Sequence, residues 1–198
     1  MKGGKNIDMG ESSEALVKEI LKGNSAAMEL IVRQHYKMVQ TFVYRLTGDY
    51  NLSYDITQEV FIKMMKNLNR FKFENCNFKS WLLKIASNTC KDYFKSNTYK
   101  QRNETSDIYE INVEDDKNVI DILEKNEKRK FVKEGVESLP ENQREAVILK
   151  YYHDMKIKEI ASITGQNENT VKSRLFSGMK NLKKFFGGET YEKKSIRR

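Results

Sequence analysis

Apolar residues recur at helical spacing almost throughout this chain, and nowhere does an alternating pattern persist. Ile31, Met38, Phe42 and Leu46 fall near multiples of 3.6 residues, as do Leu52, Ile56, Val60 and Met64. Leu82, Ile85, Thr89 and Tyr93 make a third stripe. Pro140 is the only proline. The pattern predicts an all-α fold. Thr47-Gly48-Asp49 divides the first long helix from the second, and Phe71–Phe78 (FKFENCNF) divides the second from the third. Residues 25–96 are thus predicted to form a helical bundle, preceded over 1–24 by an extension and a first helix.

From Ser96 to about Asp121 apolar residues thin out and acids crowd together. Such a stretch buries too little surface to offset the entropy of ordering, so 97–121 is predicted to be a flexible acidic linker. A second, four-helix domain is expected over 122–186. Its helices are predicted at about Ile122–Glu137, Glu141–Tyr152, Lys156–Thr164 and Glu168–Phe186. Pro140 suits the start of the second, where its missing N–H is not needed. Residues 187–198 read as a frayed basic tail.

Charge follows the same divisions. The net +8 resolves into +5 over 1–96, −5 over 97–124 and +8 over 125–198. Two basic blocks around an acidic connector suit two nucleic-acid-facing domains, and equally suit ordinary surface charge beside a polar linker. No apolar run approaches the roughly 20 residues of a membrane span. The first twenty residues lack an apolar signal-peptide core, so a cytoplasmic location is expected. Cys76 and Cys90, with His35 and His153, make no metal-site spacing, and no phosphate loop or nucleophile constellation occurs. Neither a cofactor nor an enzyme activity is expected.

The most informative segment is KIKEIASITGQNENTVKSRLFSGMKNL. Ile160 and Ala161 fall on one helix, Gly165 follows Ala161 by four residues, and Val171 follows six later. The small residue permits a close crossing, and glycine accepts the left-handed turn conformation. Asn167 is placed to cap the next helix, and Val171, Leu175 and Met179 to seat it. Thr164 and Gln166 are polar where apolar residues are usual, so a looser turn is expected. The outward face then holds Asn169, Thr170, Ser173, Phe176, Ser177 and Lys180, flanked by Lys172 and Arg174. Short polar side chains suit base edges in a major groove, and the flanking cations suit phosphates. A helical hairpin with a solvated face is the plainer alternative.

Two further segments complete a resemblance. RLTGDYNLSYDITQEVFIKMMKNLNRF and FKSWLLKIASNTCKDYFK resemble region two of extracytoplasmic-function (ECF) sigma factors, and SLPENQREAVILKYYHDMKIKEIASITGQNENTVKSRL resembles their region four. The resemblance covers about 45–96 and 136–182, in the family's order. It implies a transcription initiation factor that binds core RNA polymerase and promoter DNA. It also implies an anti-sigma partner, often membrane-bound, and a stress or envelope response.

By that resemblance the D-I-T-Q-E-V-F helix docks on the polymerase clamp through Asp55, Gln58 and Glu59, with Phe61 and Ile62 nearer the core. Read without it, a solvated acidic face serves as well. The loop Phe71–Phe78 and the helix after it would cradle a base flipped from the minus-10 element, through Asn75, Asn77, Phe78, Lys79 and Ser80. Trp81 fits either a stacking platform or a core position. Lys84, Asn88, Lys91 and Lys95 share one helix face, suited to a phosphate track or simply to solvent. The minus-35 element would fall to the helix-turn-helix.

Overall fold

The computed structural model describes residues 12–74, 76–96 and 119–195, with side chains described only to residue 187 and only from residue 127 in the second part. The chain divides into two compact units, Met1–Glu104 and Thr105–Arg198. All the described secondary structure is helical.

In the N-terminal unit each α-helix opens on a side-chain cap, as its sequence invites. Ser12 Oγ accepts from the Ala15 N–H ahead of α1 (Ser13–Leu21), and Asn24 Oδ1 from Ala26 ahead of α2 (Ser25–Thr47). Gly48, at φ +75°, ends α2 and donates its N–H to the Tyr44 carbonyl at 2.8 Å. Asp49 then caps α3 (Tyr50–Asn67) by accepting from Leu52 N–H at 2.9 Å. A short 3-10 turn, Leu68–Arg70, leads to the loop before α4 (Phe78–Lys95).

α2, α3 and α4 pack pairwise, and α1 lays Leu16 and Val17 against α2. The core is drawn from Ile31, Val39, Phe42 and Leu46, from the whole predicted α3 stripe of Leu52, Ile56, Val60 and Met64, and from Leu82, Leu83, Ala86 and Cys90. Met38, Ile85 and Tyr93 are half-buried at the edges of the predicted stripes.

The C-terminal unit holds α5 (Val119–Glu137), α6 (Glu141–Tyr151), α7 (Ile157–Thr164) and α8 (Glu168–Ser195). α5 begins before the expected Ile122, and helical backbone in α8 continues past the expected end at Phe186. Of the predicted linker, 97–118 lies outside the described residues, and Val119–Asp121 is helical. Ile148, Leu149, Ile160, Ile163 and Val171 are buried at the centre.

Two expectations about the turn are corrected. Thr164 does not loosen it: the side chain is buried, and its hydroxyl donates to the Ile160 carbonyl at 2.8 Å. Met179 does not seat α8, being 42% exposed. The inward position belongs to Gly178, where an added Cβ would lie 3.0 Å from Val147 Cγ2, and Leu182 continues the buried face. Bare backbone against α6 replaces the thioether.

Candidate nucleic-acid and protein interfaces

In the C-terminal unit the turn is built as the sequence suggested. Gly165 sits at φ +69°, the left-handed region that glycine tolerates without a Cβ penalty. Its N–H and that of Gln166 both reach the Ala161 carbonyl. Asn167 Oδ1 accepts from the Thr170 N–H at 2.8 Å and fixes the start of α8. None of the side chains assigned to this face is buried. Asn169, Lys172, Ser173, Phe176 and Lys180 are exposed, and Thr170, Arg174 and Ser177 are half-buried. Phe176 stands out at 74% exposure, an aromatic ring held in water on an otherwise polar face.

An open cleft of about 510 Å³ runs beside this face. One wall is the α8 surface from Asn167 to Ser177, and the other is formed by Asn142 and Gln143 of α6. Sequence reasoning missed those two. The only available signal was their position just after Pro140, in a first helical turn that nothing in the sequence ties to α8.

On α3, Asp55, Gln58 and Glu59 are exposed together as expected. Phe61 is buried, stacked on Tyr36 with ring centroids 6.0 Å apart. Ile62 is corrected: it is 45% exposed and extends the Asp55–Glu59 face, together with Tyr54 and Met65. The face is therefore acidic with apolar borders, a composition suited to a protein partner. Glu59 pairs with Lys63 at 2.8 Å, and Lys63 Nζ also donates to Thr89 Oγ1 at 3.2 Å. That bridge orients Glu59 and ties α3 to α4 without hiding the carboxylate.

The loop ahead of α4 is organised by rings. Phe71 contacts Phe73, Trp81 and Phe78 at centroid distances of 4.5, 4.8 and 5.6 Å. Phe78 is corrected here, for it is only 2% exposed and offers no stacking face. Ser80 is corrected too: it is buried, and its backbone N–H donates to the Asn77 cap at 2.7 Å. Asn77 remains exposed with its Oδ1 engaged in that cap. Trp81 is half-buried, its ring 4.8 Å from that of Phe71 and 5.6 Å from that of Phe78, and Lys79 is half-buried too. Asn75 lies outside the described residues.

His35 of α2 buttresses the cluster, a role no sequence signal announced. Its ring lies 5.1 Å from that of Phe78, and its Nε2 is 2.9 Å from Ser13 Oγ of α1. Burial, and secondarily the Lys79 charge, pushes its pKa down to about 4, so the imidazole is neutral near pH 7. Further along α4, Lys84, Asn88 and Lys95 are exposed, and half-buried Lys91 donates to Ser87 Oγ at 3.0 Å. The four share one face, continuous with the ring cluster at the head of the helix.

Among the described residues no cluster of three or more ligating side chains could hold a metal ion, and no helix is long and apolar enough to cross a membrane. Two helical units, one bearing a helix-turn-helix with a polar, basic face, have the architecture of a DNA-binding protein. The Sigma-70 region 2 family model matches residues 31–99, and the Sigma-70, region 4 model matches 132–182. The ECF RNA polymerase sigma-E factor of Escherichia coli (strain K12) is 30% identical over 174 residues, covering 83% of this chain and 89% of that protein. The ECF RNA polymerase sigma factor BldN of Streptomyces coelicolor is 24% identical over 167 residues, covering 84% of this chain but only 63% of BldN.

Solved structures agree on the fold. CnrH, in complex with the cytosolic domain of CnrY, superposes with a TM-score of 0.66 at 17% identity, covering 90% of this chain and 99% of that one. The sigma factor RpoE of Bartonella quintana, in complex with the anti-sigma factor NepR, gives 0.61 at 19%, covering 81% and 97%. The chain belongs to the ECF sigma factors of the sigma-70 family. It is accordingly a transcription initiation factor without catalysis of its own, serving RNA polymerase at promoters.

Proposed function

We propose that the two units divide promoter recognition between them. α8 reads the minus-35 element as duplex, with Asn169, Thr170, Ser173, Phe176 and Ser177 toward base edges and Lys172, Arg174 and Lys180 toward phosphates. The N-terminal unit holds the polymerase clamp through Asp55, Gln58 and Glu59, now joined by Ile62. It takes the displaced minus-10 strand along Lys84, Asn88, Lys91 and Lys95. Asn75, Asn77, Lys79 and Trp81 meet the flipped base, while Phe78 and Ser80 support them from below. The observation that carries this reading is that none of the eight residues assigned to the minus-35 element is buried.

The same faces are those an anti-sigma factor would cover. The structural likeness to RpoE, crystallised with an anti-sigma factor, supports such a partner for this chain. Likeness to a sigma-E factor supports a stress or envelope response, carried out in the cytoplasm where the polymerase works.

Run-off transcription with bacterial core RNA polymerase and a genomic promoter library tests the reading. Discrete start sites are expected with the wild-type chain, and their loss on combining Asp55→Lys with Glu59→Lys while helicity is retained. Sequence-specific duplex binding without core binding or initiation would leave a stand-alone regulator instead.

A further inference from the structure

α6 carries no residue assigned above to DNA, yet it forms one wall of the cleft beside the recognition helix. Two features hold it there. Gly178 lets the helices approach: an added Cβ would lie 3.0 Å from Val147 Cγ2 and 3.5 Å from Gln143 Cβ. Three residues on, Asn181 Nδ2 donates to Gln143 Oε1 at 2.9 Å. That bond fixes the carboxamide. With its oxygen turned to Asn181, the Gln143 amide nitrogen is left as the free end, carrying two N–H donors and making no other hydrogen bond among the described residues.

The cleft that Gln143 lines is bordered by polar side chains alone, with Arg174 as its one cation and no acid. Such donors suit an anionic oxygen, and the cleft is too open to enclose an apolar ligand. We propose that Gln143 is a phosphate anchor, donating its amide N–H to a backbone oxygen of the duplex lying in the recognition face, and that Asn181 is its positioning residue. The inference rests on the duplex-reading role of α8 and extends it to a second helix. A phosphate contact fixes the register of the recognition helix without reading sequence.

The test uses the full chain bound to core polymerase, with a promoter duplex recovered by run-off and a copy whose upstream element is scrambled. Binding is read by fluorescence anisotropy, and folding by circular dichroism. Gln143→Ala is expected to weaken both duplexes about 3- to 10-fold, the range of one lost hydrogen bond. Gln143→Glu is expected to weaken both more than about 10-fold, because a carboxylate then faces the phosphate. Asn181→Ala should lose about 2- to 4-fold alone and nothing further in the Gln143→Ala background, since it acts through Gln143. A purely structural role for the pair would instead lower the melting temperature and leave affinity unchanged.

Wild-type affinity in Gln143→Glu would overturn the anchor. So would a loss confined to the intact promoter, which would mark a base contact. Failure of the wild-type complex to prefer the intact over the scrambled duplex would instead strike the reading of α8 itself.

Discussion

Lowering the pH from 7 to 5 charges an imidazole in the unfolded chain that the folded N-terminal unit keeps neutral. His35 has an ordinary value of 6.5 when unfolded and about 4 when folded, chiefly through burial and then through Lys79. Between those values the unfolded state binds the proton more readily. Stability is therefore complete above about 6.5, falls as the pH drops toward 4, and falls no further from this group below that. In a fully sheltered site the shift would remove about 2 kcal/mol between pH 7 and pH 5. The ring is only half-buried, and solvent on its open side reduces this to about 1 kcal/mol.

Trp81 is the only tryptophan and packs in the ring cluster that His35 buttresses, so its fluorescence reports this unit. Urea unfolding of the full chain, followed at Trp81 at both pH values, should show the wild type losing about 1 kcal/mol more than His35→Gln. Glutamine keeps a partner for Ser13 but cannot take the proton. Equal losses in the two proteins would refute the argument, because they would show that acid acts elsewhere.

Four other outcomes follow from the packing. Phe78→Ala should destabilise the N-terminal unit by about 3–5 kcal/mol, whereas Phe176→Ala should leave stability within about 0.5 kcal/mol and reduce only duplex affinity, checked by urea unfolding and anisotropy. Asn167→Ala removes the α8 cap and should cost about 1 kcal/mol in thermal unfolding, with weaker duplex binding. Gly178→Val should cost about 1–3 kcal/mol through overpacking against Val147, seen as a lowered melting temperature of the C-terminal unit.

The architecture was legible because helical periodicity and capping residues agree along most of the chain. The α3 stripe of Leu52, Ile56, Val60 and Met64 fixed the phase of that helix, and Asn167 and Gly165 fixed the turn. What stayed hidden depends on neighbours. Ile62 reads as core by hydrophobicity, but α3 has only one buried face and Ile62 falls on the other. Gly178 reads as a gap in the apolar stripe, although a missing side chain is what lets two backbones meet. Phe78 and Trp81 look alike as aromatics at the head of one helix, and only the packing of Phe71 and His35 decides which one is fully buried. The α6 wall was out of reach because Gln143 meets Asn181 across 38 positions of sequence.

α4 carries the ring cluster at its head and the lysine face along its length, within one unbroken helix. Its first and last lysines of that face, Lys84 and Lys95, are set about 16 Å apart by the helix rise of 1.5 Å per residue. One residue inserted between Trp81 and Lys84 would turn every lysine by about 100° away from the aromatic end. α4 thus behaves as a ruler whose graduations cannot be respaced. Evolution can exchange the solvent-facing residues along it, but a change in its length would have to come in whole turns.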